Sequence, residues 1–290
     1  MKILVFGEIL WDVFPGKYEI GGAPLNFGAH LSKLGGEVQV VSAVGKDGLG
    51  QESLKMVRKF GIDDRFIKVL EKPTGVCNVS VDEYGNPTYY LVRDVAYDNI
   101  TVDEEALKLH YDAFYMGTLA RRSVVSSETF KKLVRGCNFD EVFCDINIRQ
   151  DFYTREIVEE SLVHSTILKI SEEEAFVFKE TGLLEYSNLE ELSIKLAKEY
   201  DIKIILVTLG EEGAFLYSAK DKEFHKSKPT PVKVVSTVGA GDSFSAAFLY
   251  NYLKGNNLQA CLDKAVQLSS FVVTRLGAVP EYDPSNYQVR

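Results

Sequence analysis

Four consecutive residues, Gly239-Ala240-Gly241-Asp242, carry the strongest chemical signal in this sequence. They join a β-branched run ending at Val238 to a segment in which Phe244, Ala247 and Phe248 recur at helical spacing, so the expected order is strand, turn, helix. The first turn of a helix leaves backbone N–H groups without intrahelical partners, and the helix dipole places partial positive charge there. Small residues at that place let an anion come close to the backbone. Gly239, Ala240 and Gly241 would then form an anion cradle, and Asp242 beside it could take the proton from a hydroxyl attacking a bound phosphoryl group. The positive helix end is expected to keep that carboxylate ionised. Taken alone, the run is better explained by ordinary capping, because aspartate is a favoured N-cap and glycine a common turn residue.

A second group is Asp12 with Gly21, Gly22 and Asn26. The glycines allow close backbone approach, Pro24 suits a first helical position, and Leu25, Ala29, Leu31 and Leu34 repeat helically until Gly35-Gly36. Asp12 can accept two hydroxyl protons, and Asn26 can both donate and accept, as the hydroxyls of a sugar require. The plain alternative is a turn aspartate and a solvated helix asparagine. Glu172, Glu173 and Glu174 are expected to open a helix, where acidic residues complement the dipole. One of them could instead hold Mg²⁺ through water, since magnesium keeps much of its hydration shell.

Other chemistries are excluded by pattern. The Gly239-Ala240-Gly241 run fails the dinucleotide fingerprint because its third glycine would fall at Phe244, and no G-x-x-x-x-G-K-[ST] occurs. There is no HExxH, no GxSxG and no zinc-type cluster among the scattered cysteines and histidines. A net charge of -9 disfavours nucleic acid and anionic membrane as partners. Cys77, Cys137, Cys144 and Cys261 lack C-x-x-C spacing, and neither a signal peptide nor a bilayer-spanning apolar run is present, so a reducing cytoplasm is the expected location.

The elements that must hold these residues follow from periodicity. At 290 residues and 46% hydrophobic content the chain can build one large α/β domain. Residues 2–7, 38–44, 113–117, 142–146, 166–170 and 202–208 read as short buried strands, separated by segments of helical length rich in Glu and Lys. This predicts a parallel sheet with helices on both faces, its ligands beyond the carboxyl ends of the strands. Asp145, Asn147 and Arg149, then Lys169, then Thr208 and Gly210 fall there. Residues 74–92 alternate instead, with a turn at 82–87, and predict a hairpin that could join residues 14–20 in a small separate sheet. Such a sheet is a natural lid, and Arg93 at its end could close on a ligand, although a surface arginine is the commoner case. Residues 283–290 look loosely held.

GEILWD (Gly7 to Asp12), GGAPLNF (Gly21 to Phe27), GTLARR (Gly117 to Arg122), DINIR (Asp145 to Arg149), LKISEEEA (Leu168 to Ala175), VTLGEEGA (Val207 to Ala214) and VGAGDSF (Val238 to Phe244) together resemble the ribokinase-like, or PfkB, family of carbohydrate kinases. The resemblance implies a single kinase domain over residues 1–290, a mostly parallel central sheet, and a β-lid formed by about 13–20 and 74–93. It implies transfer of the γ-phosphate of ATP to a sugar hydroxyl, with Asp242 as base and Gly239 to Gly241 as anion hole. Asp12, Gly21, Gly22 and Asn26 match sugar-binding positions, with Arg93 as a lid contact and Arg149 near substrate and phosphates. Glu174 matches the acidic residue that organises Mg²⁺ through water. Lys169, Thr208, Gly210 and Gly213 fall to the nucleotide side. GEILWD with GGAPLNF looks most like bacterial fructokinases, which makes fructose the first acceptor and ribose, 2-keto-3-deoxygluconate or a nucleoside the alternatives. A non-catalytic sugar- or nucleotide-binding regulator is the reading from another class. An apolar lid face would favour a homodimer. Departures also occur: Ser171 replaces an Asn of the magnesium motif, Ser236 replaces an Asp that helps bind a monovalent cation, which speaks against potassium activation, and Val266 or Gln267 replaces an Asn near adenine.

Overall fold

In the first strand, β1 (Lys2–Phe6), neighbouring side chains go to different cores: Ile3 and Val5 into one, Leu4 and Phe6 into the other. A strand apolar on both faces needs cover on both, the condition of a buried parallel sheet. The computed structural model describes residues 1–14, 16–81 and 87–289. The further strands are β2 (Leu10–Phe14), β3 (Lys17–Gly21), β4 (Glu37–Gly45), β5 (Ile67–Leu70), β6 (Gly75–Val81), β7 (Pro87–Leu91), β8 (His110–Met116), β9 (Asn138–Asp145), β10 (Ile167–Ser171), β11 (Ile204–Thr208), β12 (Ala214–Ser218) and β13 (Glu223–Ser227). The helices are α1 (Ala23–Lys33), α2 (Gly48–Lys59), α3 (Glu104–Leu107), α4 (Val124–Gly136), α5 (Arg155–His164), α6 (Phe176–Glu180), α7 (Leu189–Tyr200), α8 (Ala240–Leu253) and α9 (Leu258–Val272).

Nine strands make the central sheet in the order β13-β12-β11-β10-β9-β8-β1-β4-β5, parallel except at the β12 and β13 edge. α1, α2, α8 and α9 bury their apolar residues on one face, and α3 to α7 on the other. From β1 the chain runs outward to β4 and β5, then returns to build β8 through β11 on the opposite side. The strand order therefore reverses beside β1, where open α/β sheets leave a crevice beyond their carboxyl ends. α8 is buried along its length from Ser243 to Asn251, because α1 and α9 flank it on the sheet.

The second sheet has the order β3-β2-β6-β7, with β2 and β6 parallel and the outer pairs antiparallel. Residues 14–20, expected to join the hairpin in this sheet, fall at the end of β2 and in β3, with Gly16 at φ +75° between them, and Asp12 lies within β2 rather than in a turn. Of the turn expected at 82–87, residues 82–86 lie outside the described residues.

Two further expectations are corrected. No strand forms over 234–238 ahead of the cradle: the amides of Val235 and Ser236 both donate to the carbonyl of Val273, at 2.7 and 3.2 Å, rather than to a ladder. The tail is anchored, because the Gln288 amide donates to Leu34 O, the Val289 N–H donates to Asn251 Oδ1, and Tyr287 is buried.

Candidate active site

Gly239 is the N-cap of α8 at φ +80°, and a Cβ there would lie 2.4 Å from the carbonyl oxygen of Ala278. Only glycine fits both the left-handed backbone and the close approach. Ala278 is itself held from α1: His30 Nε2 lies 2.9 Å from its carbonyl, and the Tyr282 hydroxyl lies 2.8 Å from His30 Nδ1. Because a carbonyl can only accept, Nε2 carries the proton and Nδ1 accepts from Tyr282. Burial pushes the imidazole down to about 4, so it stays neutral.

Lys169 lies behind the cradle and is not among the residues that wall the cavity beyond it; a Cβ on Gly241 would be 3.3 Å from its Nζ. The ammonium donates to Asp145 Oδ1 at 3.0 Å, and Ser245 donates to Asp145 Oδ2 at 3.2 Å. Burial opposes the charge on Lys169, but Asp145 and Glu174 outweigh it and its pKa is raised.

Asp242 stands in the first turn of α8, half-buried, and its Oδ2 accepts from Asn26 Nδ2 at 2.9 Å. Asn26 is buried, so it is no solvated helix residue. The expectation that the helix end holds Asp242 ionised is corrected in degree: desolvation pushes its carboxyl up to about 6, against the Asn26 hydrogen bond, with Asp145 adding to the rise and Arg149 and Lys169 opposing it. At pH 7 about nine in ten molecules still carry the carboxylate.

On the small-sheet side, a Cβ on Gly21 would sit 3.2 Å from Asp12 Oδ2, and Gly22 at φ +107° caps α1. Burial raises the pKa of Asp12, and the Glu19 carboxylate adds to the rise. Arg149 is exposed, between Asn147 at φ +42° and Gln150 at φ +49°, two conformations that cost non-glycine residues energy. Its field reaches Glu8, Asp12 and Asp242, and the next side chain, Gln150, donates to Tyr89 O of β7 at 2.5 Å. Arg93 remains at the rim, over the Phe152 ring at 4.5 Å and 3.8 Å from Asp151.

Beyond the cradle opens a cavity of about 800 Å³, walled by Thr208, Gly210, Gly213, Ala240, Gly241 and Val266, while Gln267 faces elsewhere. Glu172, Glu173 and Glu174 do not open a helix but form a turn ahead of α6. Glu174 Oε2 accepts the Ser171 N–H at 2.8 Å while Ser171 Oγ accepts the Glu174 N–H at 3.1 Å, a reciprocal capping arrangement. Glu174 Oε1 accepts the Ile148 N–H at 2.9 Å. With one lone pair of each oxygen used, Glu174 can order water around a cation but is a poor direct ligand. Among the described residues no cluster of three metal-binding side chains occurs.

Sequence reasoning missed Glu8. It is 2% exposed at the end of β1, and burial pushes its carboxyl up to about 7, with Arg149 opposing and Asp242 adding. One carboxylate within the apolar stretch from Ile3 to Trp11 was the available signal.

Residues 3–284 match the pfkB family carbohydrate kinase pattern. The chain belongs to that family and is a sugar phosphotransferase. An uncharacterized sugar kinase of Archaeoglobus fulgidus is 32% identical over 80% of this chain and 89% of its own length. Among solved structures, a candidate ribokinase II from E. coli in complex with ATP and Mg²⁺ superimposes with a TM-score of 0.82 at 26% identity, covering 96% of this chain and 94% of that one. A Vibrio cholerae fructokinase with fructose, ADP and calcium gives 0.80 at 19% identity, over 96% and 94%, a likeness of fold alone. Among the described residues no helix is long and apolar enough to cross a membrane.

Proposed function

We propose that this protein transfers the γ-phosphate of ATP to a hydroxyl of a small sugar, with fructose the first acceptor. The observation that carries the reading is the Asn26 to Asp242 contact, which sets a carboxylate of pKa about 6 beside the cradle and against the helix bearing the acceptor-side residues. Asp242 takes the proton of the attacking hydroxyl, which its pKa suits near neutral pH. The turn from Gly239 to Gly241 stabilises the charge that develops on the transferring group, with the Ala240 N–H, which donates to Thr237 O at 3.2 Å at rest, turning to the phosphoryl group when it binds, and Lys169 behind the turn adds a fixed positive charge. Asp12, Gly21, Gly22 and Asn26 hold the acceptor, while Arg149 orients it against the phosphates. Thr208, Gly210 and Gly213 seat the nucleotide, and the apolar Val266 faces its base.

Magnesium bound with the nucleotide would neutralise phosphate charge, and Glu174 would hold its water shell. The small sheet, tied to the Arg149 loop through Gln150, acts as a lid that excludes water, with Arg93 as its contact. On its other face Tyr18, Val13, Asn78 and Tyr90 form one cross-strand row, with both tyrosines more than half exposed, which supports a homodimer through the lid. Four free cysteines fit a reducing cytoplasm.

The test is ADP release on mixing the protein with ATP, Mg²⁺ and a panel of sugars. Turnover is expected with fructose, and Asp242→Asn should lower kcat by about 10² to 10⁴ with little change in ATP affinity. Saturable sugar binding with no turnover by any acceptor would assign the chain to sugar sensing instead.

A further inference from the structure

The acceptor side of the cleft holds more negative charge than Asp12 and Asp242 alone. In the β2 and β3 register Glu19 stands directly opposite Asp12, so both carboxylates rise from the same face of the small sheet. Like charges at opposed positions repel, and Lys17, ion-paired with Glu19, screens them only in part. Glu8 sits behind Gly22, where a Cβ would come within 2.5 Å of the Glu8 carbonyl oxygen. The amide of Ala23, first residue of α1, acts on the Glu8 carboxyl. An uncovered α1 N-terminus would offer N–H groups and a positive dipole to an anionic acceptor. Here an internal carboxyl already occupies that end.

The cations nearby are committed. Lys169 is paired with Asp145, and Arg93 is drawn to Asp151 and the Phe152 ring. Arg149 is exposed and donates to Ile148 O at 3.2 Å, and its field is spread over Glu8, Asp12 and Asp242. A second negative group on the acceptor would face the carboxylates of Asp12 and Glu19 besides the base, with the buried and only partly ionised Glu8 behind them, and would share one guanidinium with the phosphates. Within a water-poor cleft such like-charge contacts weigh heavily.

We infer, resting on the reading of this cleft as a sugar-kinase site, that Glu8 and Glu19 make it selective for uncharged polyhydroxylated acceptors and reject anionic acceptors bearing a carboxylate or phosphate. The experiment compares kcat/KM for fructose, ribose, fructose 6-phosphate and 2-keto-3-deoxygluconate by ADP release, in the natural protein and in Glu19→Gln. The better uncharged sugar should exceed both anionic ones by at least about a hundredfold. In Glu19→Gln that ratio should narrow by about three- to tenfold, the effect of deleting one nearby like charge. An anionic acceptor used as well as the neutral ones, or a ratio that Glu19→Gln leaves unchanged, overturns the inference and leaves the kinase reading standing. Silence with every acceptor, charged or not, removes the kinase reading and this inference with it.

Discussion

Replacing Asn26 by leucine should move the acid limb of the pH profile upward. The Asn26 amide donates to Asp242 Oδ2 at 2.9 Å, and this bond favours the ionised carboxyl against the burial that holds it near 6. A hydrogen bond to a charged group contributes about 1.5–3 kcal/mol. At 1.36 kcal/mol per pKa unit, its loss raises the carboxyl by about 1–2 units, to between about 7 and 8. Leucine matches asparagine in branching and heavy-atom count and has no donor, so the charge loses its partner; its greater bulk at this buried position adds some packing strain, which acts at every pH and does not move the titration. The base works only when ionised, and activity is therefore lost as pH falls through its pKa. In the natural protein kcat/KM should fall below pH 6; in Asn26→Leu the same fall should begin one to two units higher. Near pH 9 the variant recovers whatever the titration had taken, leaving only the loss of an acceptor contact. Initial rates of ADP formation from pH 5 to 9, with subsaturating acceptor, report this free-enzyme titration. An acid limb that stays near 6, or moves down, would show that Asp242 is not the group whose ionisation the reaction needs.

Further outcomes follow from the same geometry. The native fold raises the Asp242 pKa from its ordinary value to about 6, so its contribution to stability is present below about 4 and lost as pH rises through 6. Asp242→Asn should thus be more stable at pH 8 by about 1–2 kcal/mol after allowance for solvent screening, and thermal melts of the two proteins should converge near pH 4; equal melting points at pH 8 would contradict it. Gly239→Ala must force a Cβ against Ala278 at positive φ, at a cost of about 2 kcal/mol or more, and a variant melting like the natural protein would refute that packing. His30→Phe keeps a ring but leaves the Ala278 carbonyl and the Tyr282 hydroxyl unpaired, whereas His30→Gln restores a donor. The Phe variant should lose kcat more than ATP affinity and the Gln variant should recover much of it; equal kcat in both would separate His30 from the cradle.

Much of the site could be read from local pattern, because the features concerned are local. A glycine that must adopt positive φ, a small residue that lets an anion approach, and an acid one turn into a helix are properties of a few adjacent residues, as at Gly239 to Asp242. The same holds for Gly22 ahead of α1. Alternating apolar runs and amphipathic segments likewise announced a mostly parallel sheet. The strand expected over 234–238 failed because β-branching is only a tendency, and the partner that claimed its amides was the carbonyl of Val273, the residue that caps the end of α9. The looped tail was misjudged for a similar reason: its anchors, Leu34 and Asn251, are remote in sequence.

By itself the sequence determined which groups are available: a cradle, an acid beside it, hydroxyl-binding side chains, and a nucleotide loop in the order of one kinase family. Only the tertiary structure decided what those groups do to one another. Asn26 meets Asp242 across 216 positions of chain, Glu8 becomes a buried carboxyl near Arg149, and Glu19 is set opposite Asp12 by strand register. A charge's energy depends on the atoms and water around it, and in this fold those are supplied by elements that no local stretch of sequence encodes.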